Sequence, residues 1–377
     1  MTAVVDALAP YVESGKVPGL VAVVARADDV DVTVLGDQAV GGAPMREDSL
    51  FRIASAGKAM TAVAALTLVA DGRMALDDPV DDVLPELAAP RVLREQAALV
   101  DDTVPVSRPI TLRDLLRSTN GHGFPSDFSV PVVALLFERL HQGPPQPQAV
   151  PPPDEWMAIL GEIPLLHQPG EGFTYNTAFD ILGVLIGRVS GQPLGSYLDE
   201  RIFDPLGMTD TGFVFPPGTS DRTTTYYRRG DDGDLEVVDE PDGQWAAEPT
   251  FASGAGGCVS TAADMLAFQR LLLAGGGDVL PGELVEAMMT DQLTPAIRAT
   301  DTVFLDGQSW GYGGGVDIEV RRPWNVLGRY GWAGGTGTSA HVVPADDSLT
   351  ILLTQVELDG PAGTAVLESF WSAAALG

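Results

Sequence analysis

Residues 51–70 constrain the fold more than any other stretch of this chain. A serine and a lysine three apart, Ser55 and Lys58, stand at the head of an apolar run, Ala59 to Ala70, with no Pro or Gly in it. Such a run reads as a buried helix. Residues three apart share a helix face, so hydroxyl and ammonium can meet. A serine in the first turn lies among backbone N–H groups without internal acceptors, where the helix dipole favours negative charge. A lysine placed there can deprotonate the serine without a histidine. The same residues also read as a helix cap followed by a solvated lysine, and the motif alone recurs by chance. Other segments must decide.

A chain of 377 residues exceeds what one core usually organises, which predicts two lobes. Its 22 Lys+Arg against 52 Asp+Glu leave a net charge of −30, a field that repels nucleic acid and anionic membranes. Solubility is the simplest reason for that acidity. Cys258 is the single cysteine, so no internal disulfide can form, and a buried structural thiol is expected. The first residues lack a basic segment followed by an apolar core, so they do not read as a signal peptide. No stretch reaches about 18 consecutive apolar residues. A cytoplasmic protein is expected.

Along the chain, residues 2–13 have helical spacing. Gly19 to Arg26 and Val30 to Leu35 read as two Val-rich strands around an Asp28-Asp29 turn. The Ser55 helix stops at Asp71-Gly72. From there to about residue 290 the pattern is mostly helix and loop, with helices expected at Thr111–Arg117, Ala178–Val189 and Thr261–Leu273. Residues 144–153 hold six prolines and must be extended and stiff. They suit a surface connector or a pocket wall, the connector being favoured. Strands return at Val316–Val320, Ser339–Val343 and Leu349–Val356, and 364–375 reads as a closing helix. The expected class is therefore α+β: an antiparallel sheet built from both chain ends and flanked by helices, with a mostly helical lobe inserted. The lobes are expected at 1–75 with 290–377, and at 76–289.

Two further segments can bring chemistry to Ser55. In Pro169-Gly170-Glu171-Gly172-Phe173-Thr174-Tyr175-Asn176-Thr177, a tyrosine sits just before a helix. Near cations its phenol loosens its proton and can carry it, although such a tyrosine is more often packing. Gly331-Trp332-Ala333-Gly334-Gly335-Thr336-Gly337-Thr338 lets a ligand approach the backbone closely, and its N–H groups can form half of an oxyanion hole. Its plainer reading is a flexible hairpin loop.

The three segments, in this order, resemble the serine β-lactamase/penicillin-binding-protein-like hydrolases, in particular the class C-like branch that includes esterases. That family carries Ser-x-x-Lys, Tyr-x-Asn and a Lys/His/Trp-x-Gly motif. The flanking phrases fit as well: Leu50-Phe51-Arg52-Ile53-Ala54-Ser55, Leu115-Leu116-Arg117-Ser118-Thr119-Asn120-Gly121, Pro205-Leu206-Gly207-Met208, Gly257-Cys258-Val259-Ser260-Thr261 and Trp310-Gly311-Tyr312-Gly313. The likeness runs from about residue 15 to 356. It implies a β-lactamase/DD-peptidase-like fold, Ser55 as nucleophile, and Lys58 and Tyr175 sharing the general-base work in an undecided order. The backbone N–H groups of Ser55 and Gly335 would bind the oxyanion, with Trp332, Gly334, Asn176 and Thr177 around the substrate. No cofactor or metal is implied.

Two departures narrow the substrate. Where β-lactamases of this kind carry a lysine for a substrate carboxylate, this chain has Trp332, which cannot neutralise an anion. Tyr-x-Asn has become Tyr175-Asn176-Thr177, so the amide that grips an acyl-amide group is missing. Thr177 by its hydroxyl, or Asn176 by turning inward, are its candidate replacements. Asp180, in the same helix, reads as a solvated or capping carboxylate. Both changes favour a carboxylesterase acting on neutral esters or lactones. A β-lactamase or D-amino-acid peptidase, an acyltransferase and a non-catalytic scaffold are the alternatives, and the oligomeric state stays open. Gly307-Gln308-Ser309-Trp310-Gly311 also matches a nucleophile-elbow pattern, but no helix pattern follows it, so Ser309 is set aside. His122, His141, His167 and His341 lack metal-ligand spacing.

Overall fold

A computed structural model describes residues 2–358 and 365–376 of the chain. Seven strands form its main sheet: β1 (Gly19–Arg26), β2 (Asp29–Gly36), β3 (Gln308–Trp310), β4 (Gly315–Asp317), β5 (Tyr330–Gly334), β6 (Thr338–Val343) and β7 (Ser348–Thr354). Their spatial order is β2-β1-β7-β6-β5-β4-β3, antiparallel throughout. The two chain ends meet at the centre, where Leu20 faces Thr354 and Arg26 faces Ser348. The expected antiparallel sheet built from both termini is therefore present. The strand expected at Val316–Val320 is shorter, ending at Asp317.

Both faces of the sheet are covered, and the strands alternate accordingly. Leu20, Ala22 and Leu352 pack against Val4 and Leu8 of helix α1 (Thr2–Glu13) and Leu367 and Phe370 of the C-terminal helix (Ala365–Leu376). The expected closing helix 364–375 is this element, residue 364 lying outside the described residues. On the other face, Val21, Val23, Ile351 and Leu353 join the main core with Met265, Phe268 and Leu272. Those three belong to a helix over Ala262–Leu273 capped by the Thr261 hydroxyl.

Helix α2 (Lys58–Ala70) runs through that core, and every residue from Lys58 to Leu68 is buried. A helix apolar on all sides is stable only when surrounded. Helix α3 (Pro131–Leu140), α4 (Pro153–Glu162) and α5 (Thr177–Ser190) belong to the segment between β2 and β3. Of these, α5 packs on α2. That segment also holds three short two-stranded ladders that sequence patterning does not reveal. No helix among the described residues is long and apolar enough to cross a membrane.

One ladder, Phe51–Arg52 with Val259–Ser260, carries the chain to Ser55. Arg52 is buried, its guanidinium lying 4.8 Å from the Phe215 ring and 5.0 Å from the Trp245 ring. It donates to Asp239, to the Thr224 carbonyl at 2.8 Å and to the Glu240 carbonyl at 3.0 Å. A buried charge that loses its partner is strongly destabilising. Asp239→Ala is therefore expected to lower the unfolding free energy by about 3–5 kcal/mol, read as a lower urea midpoint.

Candidate active site

Ser55 lies in a single tight turn, Ala54–Gly57, that runs directly into α2. Ala54 has φ +44°, a left-handed conformation that costs a non-glycine residue energy and marks a backbone held by its surroundings. The holding groups come from the β5–β6 hairpin: Thr336 donates to the Arg52 carbonyl, and Thr338 donates to the Ile53 carbonyl at 2.7 Å. Gly334 sits so close that a Cβ there would lie 2.2 Å from the Ile53 oxygen. Expected to face substrate, Gly334 instead permits the sheet edge to touch the Ser55 turn. Gly335 has open space around its Cα and lines the cavity with Ser55. Neither the Ser55 nor the Gly335 N–H enters a turn or loop backbone hydrogen bond among the described residues.

Lys58 is fully buried, which excludes the solvated-lysine reading. Its Nζ lies 2.8 Å from Ser55 Oγ, 2.8 Å from Asn176 Oδ1, and against the Ala255 carbonyl oxygen. Burial brings its ammonium down to about 7, while the Asp180 carboxylate pulls the other way. The Asn176 and Ala255 oxygens can only accept. A neutral amine gives them its two N–H bonds, and its lone pair is left for the Ser55 hydroxyl.

Tyr175 is clamped between rings: stacked on Phe304 at 4.2 Å, edge-on to Trp310 at 6.1 Å and tilted to Trp332 at 5.6 Å. Its backbone pairs with Phe124 in both directions. The phenol was expected to loosen its proton near a cation. Burial instead pushes it up to about 12, against hydrogen bonds with Ser55 and Trp332. Trp332 Nε1 donates to Tyr175 Oη at 2.6 Å. An indole N–H cannot accept, so the phenol directs its own proton away from Trp332.

The next residue enters the same site through an unusual turn. Asn176 has φ +83° and ψ −67°, with the Thr177 N–H donating to the Tyr175 carbonyl at 3.2 Å. This is the φ-positive γ-turn, rare and strained. Asn176 occupies the N-cap position of α5 but does not cap it, since its side chain reaches Lys58. Thr177, the other candidate, is fully buried and donates to Gln142 Oε1 at 2.7 Å, so it does not face a substrate. Asp180 departs from its default reading: it is buried and accepts from Gln142, Ser253 and the Ala255 N–H. Gln142 carried no sequence signal at all. Asp180 carried a weak one, a carboxylate in the first turn of an apolar helix five residues after Tyr175.

Beside Ser55 a cavity of about 360 Å³ is lined by Phe124, Phe128, Phe137, Phe251, Phe304 and Trp332. Pro144, Pro145, Pro147 and Val150 also line it. The Pro-rich segment is thus part of the pocket, where a connector was favoured. Gln148 holds it in place by donating to the carbonyls of Gln244, Ala247 and Glu248. Cys258 is buried beneath the Ser55 turn and its thiol is pushed up to about 12. Ser309 lies in β3 and donates to Asp291, away from any strand–turn–helix elbow.

A family model described as Beta-lactamase matches residues 4–367. A Mycobacterium tuberculosis protein, Rv1367c, is 38% identical over 330 residues, which cover 83% of this chain and 79% of that one. Esterase EstB of Burkholderia gladioli is 32% identical over 370 residues, covering 92% and 88%. Among solved structures, a mutant of simvastatin synthase from Aspergillus terreus aligns with TM-score 0.82 at 25% identity, covering 100% of this chain and 96% of that one.

Two outcomes follow from this geometry. The rate of Ser55 acylation, followed with a fluorophosphonate across pH, is expected to rise as pH increases through about 7, because only the neutral Lys58 amine can accept a proton. Gly334→Ala should lower that rate by about 100-fold or more, because its Cβ displaces the Ile53 carbonyl, whereas Gly335→Ala stays within a few-fold of the wild-type rate.

Proposed function

Since the chain belongs to the beta-lactamase family, whose model spans nearly all of it, we infer that it is a serine carboxylesterase working through an acyl-enzyme on neutral esters or lactones. The observation that carries this reading is the Lys58 amine, 2.8 Å from Ser55 Oγ, with its other N–H bonds directed to two acceptors. Ser55 gives its proton to Lys58 as Oγ attacks the ester carbonyl. The Ser55 and Gly335 N–H groups receive the developing oxyanion, a contribution of about 3–4 kcal/mol for each such donor. Tyr175, holding its proton firmly, protonates the leaving alkoxide and recovers a proton from the Lys58 ammonium. Water then attacks the acyl group, and Ser55 is regenerated with release of the acid.

The cavity supports a neutral substrate. Its exposed wall is mainly apolar, with aromatic rings and prolines prominent in it, and among the described residues no Arg lines it. The position where the resemblance places a cation holds Trp332, turned onto Tyr175. Asp180 and Glu357 are the carboxylates on the lining and disfavour an anion further. The esterase relative supports an ester as the bond cleaved.

Turnover of p-nitrophenyl butyrate and of nitrocefin, by wild type and Ser55→Ala, tests the reading. Wild type is expected to favour the ester, and Ser55→Ala to lose about 1,000-fold or more. Faster nitrocefin turnover, or an unchanged Ser55→Ala enzyme, would overturn it.

A further inference from the structure

Behind Lys58 lies a ring of hydrogen bonds that the acyl-transfer steps do not use. Asn176 Nδ2 donates to Gln142 Oε1 at 3.3 Å, and Gln142 Nε2 donates to Asp180 Oδ2 at 2.6 Å. Asp180 Oδ1 accepts from Ser253 Oγ at 2.6 Å and from the Ala255 N–H at 3.1 Å. Ala255 returns to the start, because its carbonyl accepts from Lys58.

The direction of this ring is not free. A carboxylate only accepts, so it draws the NH₂ end of Gln142 towards itself. Gln142 is left with its oxygen facing Asn176, where the Thr177 hydroxyl also donates to it at 2.7 Å. That oxygen draws the NH₂ end of Asn176, and Asn176 is left with its oxygen facing Lys58. At the other end of the site, Trp332 only donates. From Trp332 through Tyr175, Ser55, Lys58, Asn176 and Gln142 to Asp180, every bond therefore points the same way.

We propose that Asp180 and Gln142 are positioning residues for the nucleophile: the Asp180 carboxylate, acting through the Gln142 and Asn176 amides, fixes which face of the Lys58 amine is presented to Ser55. If either amide reversed, Asn176 would offer N–H bonds to an amine that needs an acceptor there, and the lone pair would turn away from Ser55. The inference rests on the reading of Ser55 as nucleophile and Lys58 as its base.

Asp180→Asn separates direction from packing. The Ala255 N–H and the Ser253 hydroxyl keep the new amide oxygen on their side, so its NH₂ faces Gln142 and reverses both amides. Adding Gln142→Glu places an acceptor-only group between two amides and restores the direction towards Lys58, with the negative charge one residue nearer. The titratable neighbours of Lys58 are the Tyr175 phenol and the Asp180 carboxylate; the Ala54–Gly57 turn and the Ser253–Gly257 loop offer none.

The test is fluorophosphonate labelling of Ser55 across pH in wild type, Asp180→Asn, Gln142→Glu and the double variant, with folding followed by circular dichroism. Asp180→Asn is expected to label about 10- to 100-fold more slowly, with its acid limb moved below the wild-type value, since a charge that raises the Lys58 pKa is gone. Gln142→Glu alone, which sets two carboxylates together, should also be slow. The double variant should recover to within about 3-fold of wild type and regain the acid limb, a rescue that a packing role does not produce. A folded Asp180→Asn that labels at the wild-type rate overturns the proposal, as does a folded double variant no faster than Asp180→Asn. If Asp180→Asn does not fold, Gln142→Met breaks the same ring from a loop: a 10-fold loss supports the relay, and an unchanged rate overturns it. Wild type that fails to label at Ser55 overturns the nucleophile reading itself, a result distinct from all of these.

Discussion

An amine taken wholly out of water is the constraint on which this site depends. Burial disfavours the charged form of Lys58, and the nearby Asp180 carboxylate restores only part of that charge preference. The amine is thereby left near neutrality, where it can both accept and return a proton. That state needs a helix whose first turn is as deeply enclosed as its middle, which α2 provides with α5 packed along it and Gly313 close against its first turn. It also needs acceptors for the remaining N–H bonds, because an unpartnered buried donor would be costly. Asn176 and Ala255 meet that need, so the enclosure that shifts the amine also aims it.

Convergence at Ser55 is accompanied by local strain. Ala54 and Asn176 both adopt positive φ without being glycine, and each stands next to a residue of the proposed reaction, Ser55 or Tyr175. Left alone, the Ala54 turn would relax and Asn176 would cap its helix. Thr336, Thr338 and the close approach of Gly334 hold the first. The bond to Lys58 holds the second, and the γ-turn lets consecutive residues, Tyr175 and Asn176, aim at one amine-sized space. Locally unfavourable conformations of this kind persist where surrounding contacts over-determine them.

Periodicity and spacing made much of this legible. Val-rich runs at both termini announced a sheet closed by the chain ends, and the apolar run after Ser55 announced a buried helix. What stayed hidden were relations that backbone direction decides. Asn176 and Thr177 were equal candidates on paper, since nothing in residue type reveals a γ-turn that points the first inward and sends the second to Gln142. Asp180 read as a solvated or capping group because helix position suggests exposure, whereas the packing of α5 on α2 buries it. For Tyr175 the direction itself was misjudged: proximity to a cation argues one way, and complete desolvation of the phenol outweighs it. Pro-rich composition showed stiffness but could not say which surface the stiff segment lies against.

Trp332 links the absence of a cation at the mouth of the site to the direction of its hydrogen bonds. A cation at that position would face outward to meet a substrate carboxylate, and it would also hold the neighbouring phenol by charge. The indole can do only the second task, and does it through a 2.6 Å hydrogen bond that leaves the phenol proton directed at the reaction. Because it donates and never accepts, it fixes the direction of the bonds from its end, as Asp180 does from the other. On the proposed function, recognition of the substrate falls to shape and apolar contact with the Phe and Pro wall, which offers no reward for a negative charge. On that reading, a site without a cation for an anionic substrate and a firmly oriented phenol proton are two consequences of one side chain.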